Sequence, residues 1–529
     1  MTGWIEADAL KEWLHDGGEV ALLDVREHGQ YGESHPFFAV PLPYSRLEAD
    51  IARLVPRRGT RIVVHDDGAL GVAQRAAARL EAAGYGNVHV LRGGTRAWAA
   101  AGYALFAGVN VPSKAFGEMV EHACGTPRMK ARELAAKLAA GEPVAVIDGR
   151  PVAEYRKMNI PRGVCCPNGE LAYRIARMVP DARTPIVVNC AGRTRSIVGA
   201  QTLIDLGLAN PVFALENGTQ GWYLEDLALE HGSDRTYPPV PRDADLGPMR
   251  ARAAALAERH GAGFAGAAEV NLWLGDEART TYLFDVRTDE EFAAGTARGA
   301  VHAPGGQLLQ ATDQWVGVRN ARIVLVDAEG VRAPVVASWL RRMGHEAWVL
   351  RGGTSAGVQA AVPAPIALPL LEAVAPRQLA SWMEAGHASA IDLRPSRAYR
   401  KAHVAGSLWS IRPRLEALQG RIRGRAVLVA DDAGVAQAAA LDLAGLGFRD
   451  AALLAGGFAA WEAAGLPVEE SPRSPPDSEC IDYLYFVHDR HDGNKEAARR
   501  YLAWETDLLN HLDARERATF RFPAPGAPA

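Results

Sequence analysis

The chain contains few cysteines, only five in 529 residues: Cys124, Cys165, Cys166, Cys190 and Cys480. An odd and sparse set in a chain of this length does not indicate a disulfide framework, and it fits a reducing compartment best. The N-terminal segment contains acidic residues and lacks the apolar region of a signal peptide. We therefore expect a cytoplasmic protein.

Two further features are missing from the sequence. No apolar stretch approaches the roughly 18 residues that a membrane span requires. The formal net charge is −4, without the clustered basic excess that nucleic-acid-binding domains usually show. The local basic run of Arg421, Arg423 and Arg425 is interpreted as a solvated loop. With 48% hydrophobic and 23% charged residues, the chain is predicted to be an ordinary globular protein without a membrane or nucleic-acid partner.

The chain is instead rich in internal repetition. Four times, an Asp-x-Arg motif follows an apolar run, a loop leads into a new helix, and Leu-x-Gly-Gly or a close variant ends the pattern. A distance of 42 residues recurs in three copies, Asp24 to Asp66, Asp148 to Cys190 and Asp285 to Asp327, while 39 residues separate Asp392 from Asp431. Spacing this regular indicates duplication, and a unit of about a hundred residues is a whole domain copied in tandem.

The predicted fold class is α/β. In each copy, uniformly apolar strands such as residues 185–189 alternate with helical patterns, which is typical of a mainly parallel sheet with helices on both faces. The predicted domains are residues 1–107, 126–235, 250–361 and 370–470, followed by a C-terminal helical tail at residues 477–529. A helix from Lys495 to about Leu512 is expected to dock on a repeat, because Tyr501, Trp504 and Leu508 share one face.

Only the second repeat begins its loop with a cysteine, Cys190, whereas Asp66, Asp327 and Asp431 are assigned to that position in the others. A short loop between a strand and a helix directs backbone N–H groups inward and has the helix dipole behind it. A cysteine at the start of such a loop forms a thiolate readily near neutral pH. Arg193 and Arg195 add positive charge, so the loop is suited to nucleophilic catalysis by sulfur.

The Asp-x-Arg motif, the cysteine loop and the closing segment from Asn217 to Trp222 resemble the rhodanese (thiosulfate sulfurtransferase) domain, over about residues 1–470. The resemblance implies that Cys190 is the nucleophile and persulfide carrier. It implies a substrate cradle in which Arg193 and Arg195 hold a sulfonate or carboxylate; the predicted substrate-binding residues are Ala191, Gly192, Arg193, Thr194, Arg195 and Ser196. One departure is Asn159, where a histidine is common, and we expect only structural consequences from it.

The implied partners are a small anionic sulfur donor and a sulfur acceptor. Thiosulfate, mercaptopyruvate and glutathione persulfide all qualify as donors, and a thiol, cyanide or another protein as acceptor. No cofactor is predicted, and the oligomeric state is left open. A second hypothesis is a scaffold that carries or senses sulfur without turnover. A third is a cysteine-dependent phosphatase, but such enzymes use Cys-x5-Arg, whereas four residues separate Cys190 from Arg195.

Several other residues are given structural interpretations. The Asp-x-Arg pair occurs in all four repeats, so it is predicted to be an ion pair or turn cap. The pair Cys165–Cys166 is expected to pack in a core, with a resolving or sulfur-relay role as the alternative, and Cys124 and Cys480 are interpreted as structural or incidental. The sequence from His488 to Asp492 is interpreted as a polar loop and not a metal site, because no accompanying metal-binding motif is present.

The three repeats without the thiol are expected to be inactive. In those loops an aspartate carboxylate can accept the same N–H groups but cannot carry sulfur. Only repeat 3 has an arginine that matches Arg195, namely Arg332, and we expect it to face Asp327. The inactive repeats would then serve as scaffold, interface or substrate-access walls, with ligand sensing as the alternative.

Overall fold

The computed structural model describes residues 3–241, 243–361, 364–485 and 493–522. In these ranges the chain forms four five-stranded sheets whose neighbouring strands are all parallel, which confirms the predicted α/β class. An additional antiparallel pair joins His403–Val404 to Val468–Glu469 in repeat 4. All four sheets have the same strand order, so the duplication seen in the sequence is also a duplication of topology.

The strands are given from one edge of each sheet to the other. Repeat 1 has Gly3–Ile5, Val88–Leu91, Ile62–His65, Ala21–Asp24 and Val40–Pro41. Repeat 2 has Arg128–Met129, Val212–Leu215, Ile186–Asn189, Ala145–Asp148 and Val164–Cys165. Repeat 3 has Gly263–Ala265, Glu346–Leu350, Arg322–Val326, Thr281–Asp285 and Val301–His302. Repeat 4 has Glu372–Val374, Ala452–Leu454, Arg425–Val429, Ala388–Asp392 and Leu408–Trp409.

The α-helices flank these sheets. Repeat 1 contains Ala7–Trp13, His28–Glu33, Leu47–Leu54, Val72–Ala82 and Gly94–Ala100. Repeat 2 contains Ala131–Ala139, Val152–Lys157, Leu171–Met178, Thr194–Asp205 and Gly218–Leu224. Repeat 3 contains Ala267–Leu274, Asp289–Ala293, Gly305–Gln310 and Arg332–Arg342. Repeat 4 contains Pro376–Glu384, Ser396–Lys401, Ala433–Gly445 and Gly457–Ala463. Short 3-10 helices occur at Tyr44–Arg46, Asn168–Glu170, Thr312–Gln314, Gly353–Ser355, Arg412–Leu418 and Asp477–Glu479.

The central strands are apolar because both of their faces are covered. In repeat 2, Val187 packs into a cluster with Met129, Leu134 and Trp222, from the strands and helices on one face. Its neighbour Val188 lies against the helix Thr194–Asp205 on the other face, where a Cβ at Gly199 would come within 2.9 Å of Val188 Cγ1. A strand buried on both sides gains from an unbroken apolar run, as the sequence predicted.

The closing Gly-Gly motif is explained by backbone geometry. In repeat 2, Asn217 and Gly218 both adopt left-handed conformations, with φ of 59° and 54°. A Cβ on Gly218 would lie 2.3 Å from the carbonyl oxygen of Cys190. Glycine is therefore required at this position both for its positive φ and for the close approach to the cysteine loop. The same close approach recurs at Gly94, Gly353 and Gly457.

Four helices of the described residues lie outside the repeats. Residues 108–125 were expected to be a linker; most of this segment forms a helix, Val111–Cys124, which we call the linker helix. A second helix, Gly247–Arg259, precedes repeat 3. The helix Lys495–His511, called the tail helix, confirms the predicted C-terminal helix, and its Tyr501 and Leu508 are buried as expected, while Trp504 is half-buried. A four-residue helix, Ala514–Arg517, follows it.

The repeats associate in two compact units. Repeats 1 and 4 form one unit, and repeats 2 and 3 form the other together with the linker helix and the tail helix. In the first unit, Arg412 of repeat 4 pairs with Glu48 of repeat 1. In the second, Arg332 of repeat 3 pairs with Glu170 of repeat 2. Among the described residues, no helix is long and apolar enough to cross a membrane.

Candidate active site

Cys190 follows the central strand Ile186–Asn189 directly, at the carboxyl end of the sheet of repeat 2. This edge is where the loops of parallel α/β sheets usually form binding sites. The cysteine is buried, with 2% of its surface exposed, and the hydroxyl of Ser196 donates a hydrogen bond to its Sγ at 3.2 Å. The nucleophile expected from the sequence therefore has a hydrogen-bond donor on the same loop.

The loop backbone is fixed by contacts with neighbouring segments of repeat 2. The amide of Thr219 donates to the carbonyl oxygen of Cys190 at 2.8 Å, and the amide of Gln220 donates to that of Ala191 at 3.0 Å. On the far side of the loop, Asn168 Nδ2 donates to the carbonyl oxygen of Arg195 at 2.8 Å. The loop is thus held at both ends by elements of the same repeat.

The Asp148–Arg150 pair is structural, as predicted. Arg150 Nε and Nη2 donate to the two carboxylate oxygens at 2.9 and 2.7 Å, and both residues are buried. Asn189 Nδ2 donates to the same carboxylate at 3.1 Å, which ties the strand before Cys190 to this pair. The equivalent ion pair forms in each repeat, with Asp24, Asp285 and Asp392.

Repeat 3 reveals where the N–H groups of such a loop point. Asp327 follows the strand Arg322–Val326 as Cys190 follows its own strand, and its carboxylate accepts the amides of four residues: Gly330, Val331, Arg332 and Ala333. Because the loops of repeats 2 and 3 have equal spacing, the corresponding amides belong to Arg193, Thr194, Arg195 and Ser196. In repeat 1, Asp66 likewise accepts the amides of Gly68, Val72 and Ala73. An aspartate in place of the cysteine therefore accepts hydrogen bonds from the backbone N–H groups of the loop.

The assignment of Asp431 to the cysteine position was wrong. Val429 pairs with Asp392 in the sheet of repeat 4 just as Asn189 pairs with Asp148 in repeat 2. The next residue, Ala430, therefore matches Cys190, and its carbonyl oxygen is approached by Gly457. Asp431 comes one position later and is exposed. The shorter spacing of 39 residues was the signal that this repeat does not align on its aspartate.

Arg195 is held by Glu154. Its Nη1 and Nη2 each donate to one carboxylate oxygen at 2.8 Å, and 13% of the arginine side chain is exposed against 41% of the glutamate. Burial lowers the pKa of Arg195, because it disfavours the charged guanidinium. The attraction of the Glu154 carboxylate raises it by more, so the pKa of Arg195 lies above its ordinary value. The equivalent pair in repeat 3 is Arg332 with Glu291, at 3.0 Å. Because repeat 3 forms the pair although its loop begins with an aspartate, the pair stabilises the loop independently of the thiol.

Arg332 itself differs from the expectation. Its backbone amide donates to Asp327, but its guanidinium pairs with Glu170, Glu291 and Glu329. The side chain is completely buried in this group of carboxylates.

The side chain of Arg193 is bound by carboxylates of its own chain. Its guanidinium donates to Glu118 at 2.7 and 2.8 Å and to Glu121, both on the linker helix. Burial, with the nearby Glu505 and Glu121, raises the pKa of Glu118 to about 7 in spite of Arg193. These carboxylates anchor the guanidinium and with it the loop, and the substrate-binding role expected for Arg193 stays a prediction.

The tail helix also reaches the loop. Glu505 accepts a hydrogen bond from the Thr194 hydroxyl at 3.0 Å, and its other oxygen lies against Gly192. Ala191, Gly192 and Thr194 are all buried. Reasoning from the sequence missed Glu118, Glu121 and Glu505, because they lie on helices outside the repeat and no spacing connects them to Cys190.

The remaining cysteines do not join the site. Cys165 and Cys166 are completely buried, which agrees with the predicted core packing. Burial, followed by the charge of Asp148, raises the pKa of the Cys165 thiol to about 12, and burial also raises that of Cys166. All five cysteines are free thiols in the structure. No cluster of three or more His, Cys, Asp or Glu suited to a metal occurs in the described ranges, and the sequence from His488 to Asp492 lies outside them.

Comparison with known proteins decides the family. A family profile, the rhodanese-like domain, matches the chain four times, at residues 6–101, 130–225, 266–360 and 375–464. The chain belongs to the rhodanese family. Each of the four matched ranges contains the central strands of one sheet, so the domain count predicted from the repeats is confirmed.

A solved structure supports this family over nearly the whole chain. The thiosulfate sulfurtransferase from Pseudomonas aeruginosa is 40% identical, with a TM-score of 0.91, and the match covers 98% of this chain and 99% of that one. The rhodanese-family protein described here is therefore a rhodanese-type sulfurtransferase. Its four-repeat organisation is shared with a solved relative and is not peculiar to this sequence.

Two other solved structures match about one repeat each. The BH2092 protein from Bacillus halodurans is 19% identical, covers 20% of this chain and 78% of its own, and has a TM-score of 0.19. The Alr3790 protein from Anabaena sp. is 24% identical, covers 18% of this chain and 92% of its own, and has a TM-score of 0.17. No curated protein matches the chain in sequence.

Proposed function

We propose that this sulfurtransferase moves a sulfane sulfur from a small anionic donor to a thiophilic acceptor through a persulfide on Cys190. The observation that carries the proposal is the position of this thiol. Cys190 stands where Asp327 of repeat 3 collects four backbone N–H groups, and Ser196 donates to its sulfur at 3.2 Å. Such a cradle stabilises a thiolate, and it can also stabilise the negative charge on the incoming sulfur.

The first half-reaction forms the persulfide. The Cys190 thiolate attacks the outer sulfur of the donor, a new S–S bond forms, and the old bond to the outer sulfur breaks. With thiosulfate, the electron pair leaves on sulfite. The name of the Pseudomonas aeruginosa relative supports thiosulfate as a donor, whereas mercaptopyruvate and glutathione persulfide are alternatives of the same charge sign.

The second half-reaction regenerates the enzyme. A nucleophilic acceptor, which is cyanide, a thiol or a protein thiol, attacks the outer sulfur of the persulfide. The bond between the two sulfur atoms breaks, and its electrons return to Cys190 as thiolate. With cyanide the product is thiocyanate. No redox partner is required in either step, because the sulfane sulfur is transferred without net oxidation of the enzyme.

The backbone N–H groups of residues 193–196 hold the donor in this mechanism. Arg193 serves as an anchor to Glu118, and Arg195 contributes positive charge only to the extent that Glu154 leaves it uncompensated. We further propose that repeats 1, 3 and 4 carry no sulfur. Asp66 and Asp327 fill the cradles of two of them, and Ala430 in the third has no nucleophilic atom.

The test is thiocyanate formation from thiosulfate and cyanide, combined with mass spectrometry of the Cys190 peptide after donor treatment. We expect turnover, with a mass increase of one sulfur atom on Cys190. Cys190→Ser should abolish both signals, whereas the matched control Cys124→Ser should retain them. If the wild-type protein gives neither thiocyanate nor persulfide with thiosulfate, mercaptopyruvate or glutathione persulfide as donor, the proposal is wrong. Faster turnover of p-nitrophenyl phosphate would indicate the phosphatase instead.

A further inference from the structure

The tail helix covers the Cys190 loop although it lies outside the matched domain at residues 130–225. Its N-terminal end is attached to repeat 2, where Lys495 pairs with Asp226 and the Tyr223 hydroxyl donates to the carbonyl oxygen of Gly493 at 2.5 Å. Farther along, the Tyr501 ring and the Glu505 carboxylate face the loop at Gly192. A segment that is not part of the rhodanese domain thus contacts the loop that carries the thiol.

Glu505 is the polar residue at the centre of this contact. Only 2% of its surface is exposed. Its Oε1 accepts the hydrogen bond from Thr194 Oγ1 at 3.0 Å, whereas its Oε2 is buried and has no hydrogen-bond partner in the described parts of the chain. That second oxygen lies 2.9 Å from the place where a Cβ on residue 192 would stand, so a side chain at residue 192 would displace the carboxylate. Burying a carboxylate is costly, and the cost suggests a role for it.

Thr194 connects Glu505 to the cradle. Its counterpart in repeat 3 is Val331, whose amide donates at 2.8 Å to Asp327, the residue at the position of Cys190. The other side of Thr194 is closed by the linker helix, since a Cβ at Gly117 would lie 2.8 Å from Thr194 Cγ2. The side chain of Thr194 therefore lies between the linker helix and the tail helix, and its hydroxyl is oriented by the hydrogen bond to Glu505.

Glu505 lies in a group of charged side chains contributed by the loop and the linker helix. Arg193 lies in the same group, and Glu505 is among the carboxylates that raise the pKa of that arginine against the effect of burial. Glu118 and Glu121 of the linker helix face the same guanidinium. Lys114, four residues before Glu118, lies over the rings of Tyr501 and Trp504 on the tail helix. Two cations, Arg193 and Lys114, therefore lie near three carboxylates, and the direct contact of Glu505 with the loop is its hydrogen bond to Thr194.

We propose that Glu505 is a positioning residue for sulfur transfer: its carboxylate fixes Thr194 so that the amides of the loop stay directed at Cys190 and at the sulfur that it accepts. This inference rests on the proposed function, because the benefit of a fixed cradle is realised in the formation of the persulfide. It assigns to the C-terminal tail a contribution to the active site of repeat 2.

The experiment compares variants of the full chain in single-turnover persulfide formation with thiosulfate. Glu505→Ala and Thr194→Val each remove the hydrogen bond, and we expect the rate of persulfide formation to fall roughly tenfold in each. The double variant should show no further loss, because both changes remove one interaction. Glu505→Gln and Thr194→Ser keep an acceptor and a hydroxyl, so they should stay within about threefold of wild type. The control is Asp507→Asn, on the exposed side of the same helix.

Deuterium uptake of the peptide containing residues 190–196 supplies a readout that does not depend on turnover. Uptake should rise in Glu505→Ala and Thr194→Val but not in Glu505→Gln or Asp507→Asn. Wild-type rates and uptake in Glu505→Ala, or losses that multiply in the double variant, would overturn the positioning role. If Glu505→Ala does not fold, the contrast between Thr194→Val and Thr194→Ser decides. If the wild-type protein forms no persulfide, the proposed function fails, and deuterium uptake still tests the contact.

Discussion

The two arginines of the Cys190 loop are each bound to carboxylates of the same chain. Arg193 is bound by Glu118 and Glu121, and Arg195 is bound by Glu154 in a bidentate pair. A dianion such as thiosulfate therefore meets a cradle whose positive side chains are largely compensated. At the scale of single residues, the charge on Glu154 should control how well such a donor binds.

We predict that Glu154→Gln lowers the KM for thiosulfate several-fold, with kcat within about twofold. The change removes one negative charge beside the cradle while leaving an oxygen that can accept from Arg195. Steady-state kinetics with thiosulfate and cyanide measures it. Glu291→Gln, which alters the equivalent pair in repeat 3, is the matched control and should leave KM unchanged. An increase in KM for Glu154→Gln would mean that the ion pair itself presents Arg195 to the donor.

The buried vicinal thiols give a second prediction at this scale. Because burial raises the pKa of Cys165 to about 12, its thiolate is nearly absent at pH 8. In native protein at pH 8, iodoacetamide should modify Cys190 and leave Cys165 unmodified, as read by peptide mass spectrometry. The ordinary pKa of a cysteine thiol is 9.0, so between pH 9 and about 12 the folded protein keeps a proton on Cys165 that the unfolded chain releases. The free energy of unfolding should therefore fall as the pH rises through this range. Rapid modification of Cys165 at pH 8 would revive the sulfur-relay hypothesis.

At the scale of elements, the loop after the central strand recurs in four versions, and its hydrogen bonds depend on the residue at its start. Asp327 is buried and accepts four amides, and burial raises its pKa although Arg332 and the amides oppose the rise. Asp431 belongs to the same segment of repeat 4, but it is exposed. The two aspartates look equivalent in the sequence and are not equivalent in the fold.

We predict that Asp327→Ala lowers the free energy of unfolding by about 3 kcal/mol, because buried amides that lose their acceptor cost about 1–3 kcal/mol each and the loop relaxes only in part. Asp431→Ala should change it by no more than about 0.5 kcal/mol, as is usual for an exposed site. Urea denaturation of the two variants measures the difference. Equal losses would contradict the register that places Ala430, and not Asp431, opposite Cys190.

The pattern of apolar strands and the constant spacing of Asp-x-Arg and Gly-Gly were enough to predict the sheets, the number of repeats and the loop that begins with Cys190. Each of these features lies within a single repeat, so it can be read from the sequence of that repeat alone. The anchors of the loop were not predictable in this way. Glu118 lies 72 residues before Cys190 and Glu505 lies 315 residues after it, and only the packing of the linker and tail helices brings them to Arg193 and Thr194. Repeat 4 was aligned wrongly because its Asp431 resembles the aspartates that begin the loops of repeats 1 and 3. Its shorter spacing, 39 residues instead of 42, was given too little weight.

At the scale of the whole molecule, one repeat in four has a thiol at the start of its loop. The other three keep the strand order and the Asp-x-Arg ion pair, and two of them fill the cradle with a carboxylate. Repeat 3 packs against repeat 2 through Arg332 and Glu170, and the linker and tail helices complete the surroundings of Cys190. We propose that the three repeats without this thiol support the single reactive centre of repeat 2.

Sulfur stoichiometry tests this account most directly. Protein treated with excess thiosulfate, freed of donor and digested without reductant should carry one sulfane sulfur per chain, located on Cys190 by peptide mass spectrometry. Cyanide should remove that sulfur and release one equivalent of thiocyanate. Sulfur on any of the other four cysteines, more than one equivalent per chain, or its retention in Cys190→Ser would contradict a single catalytic thiol in repeat 2.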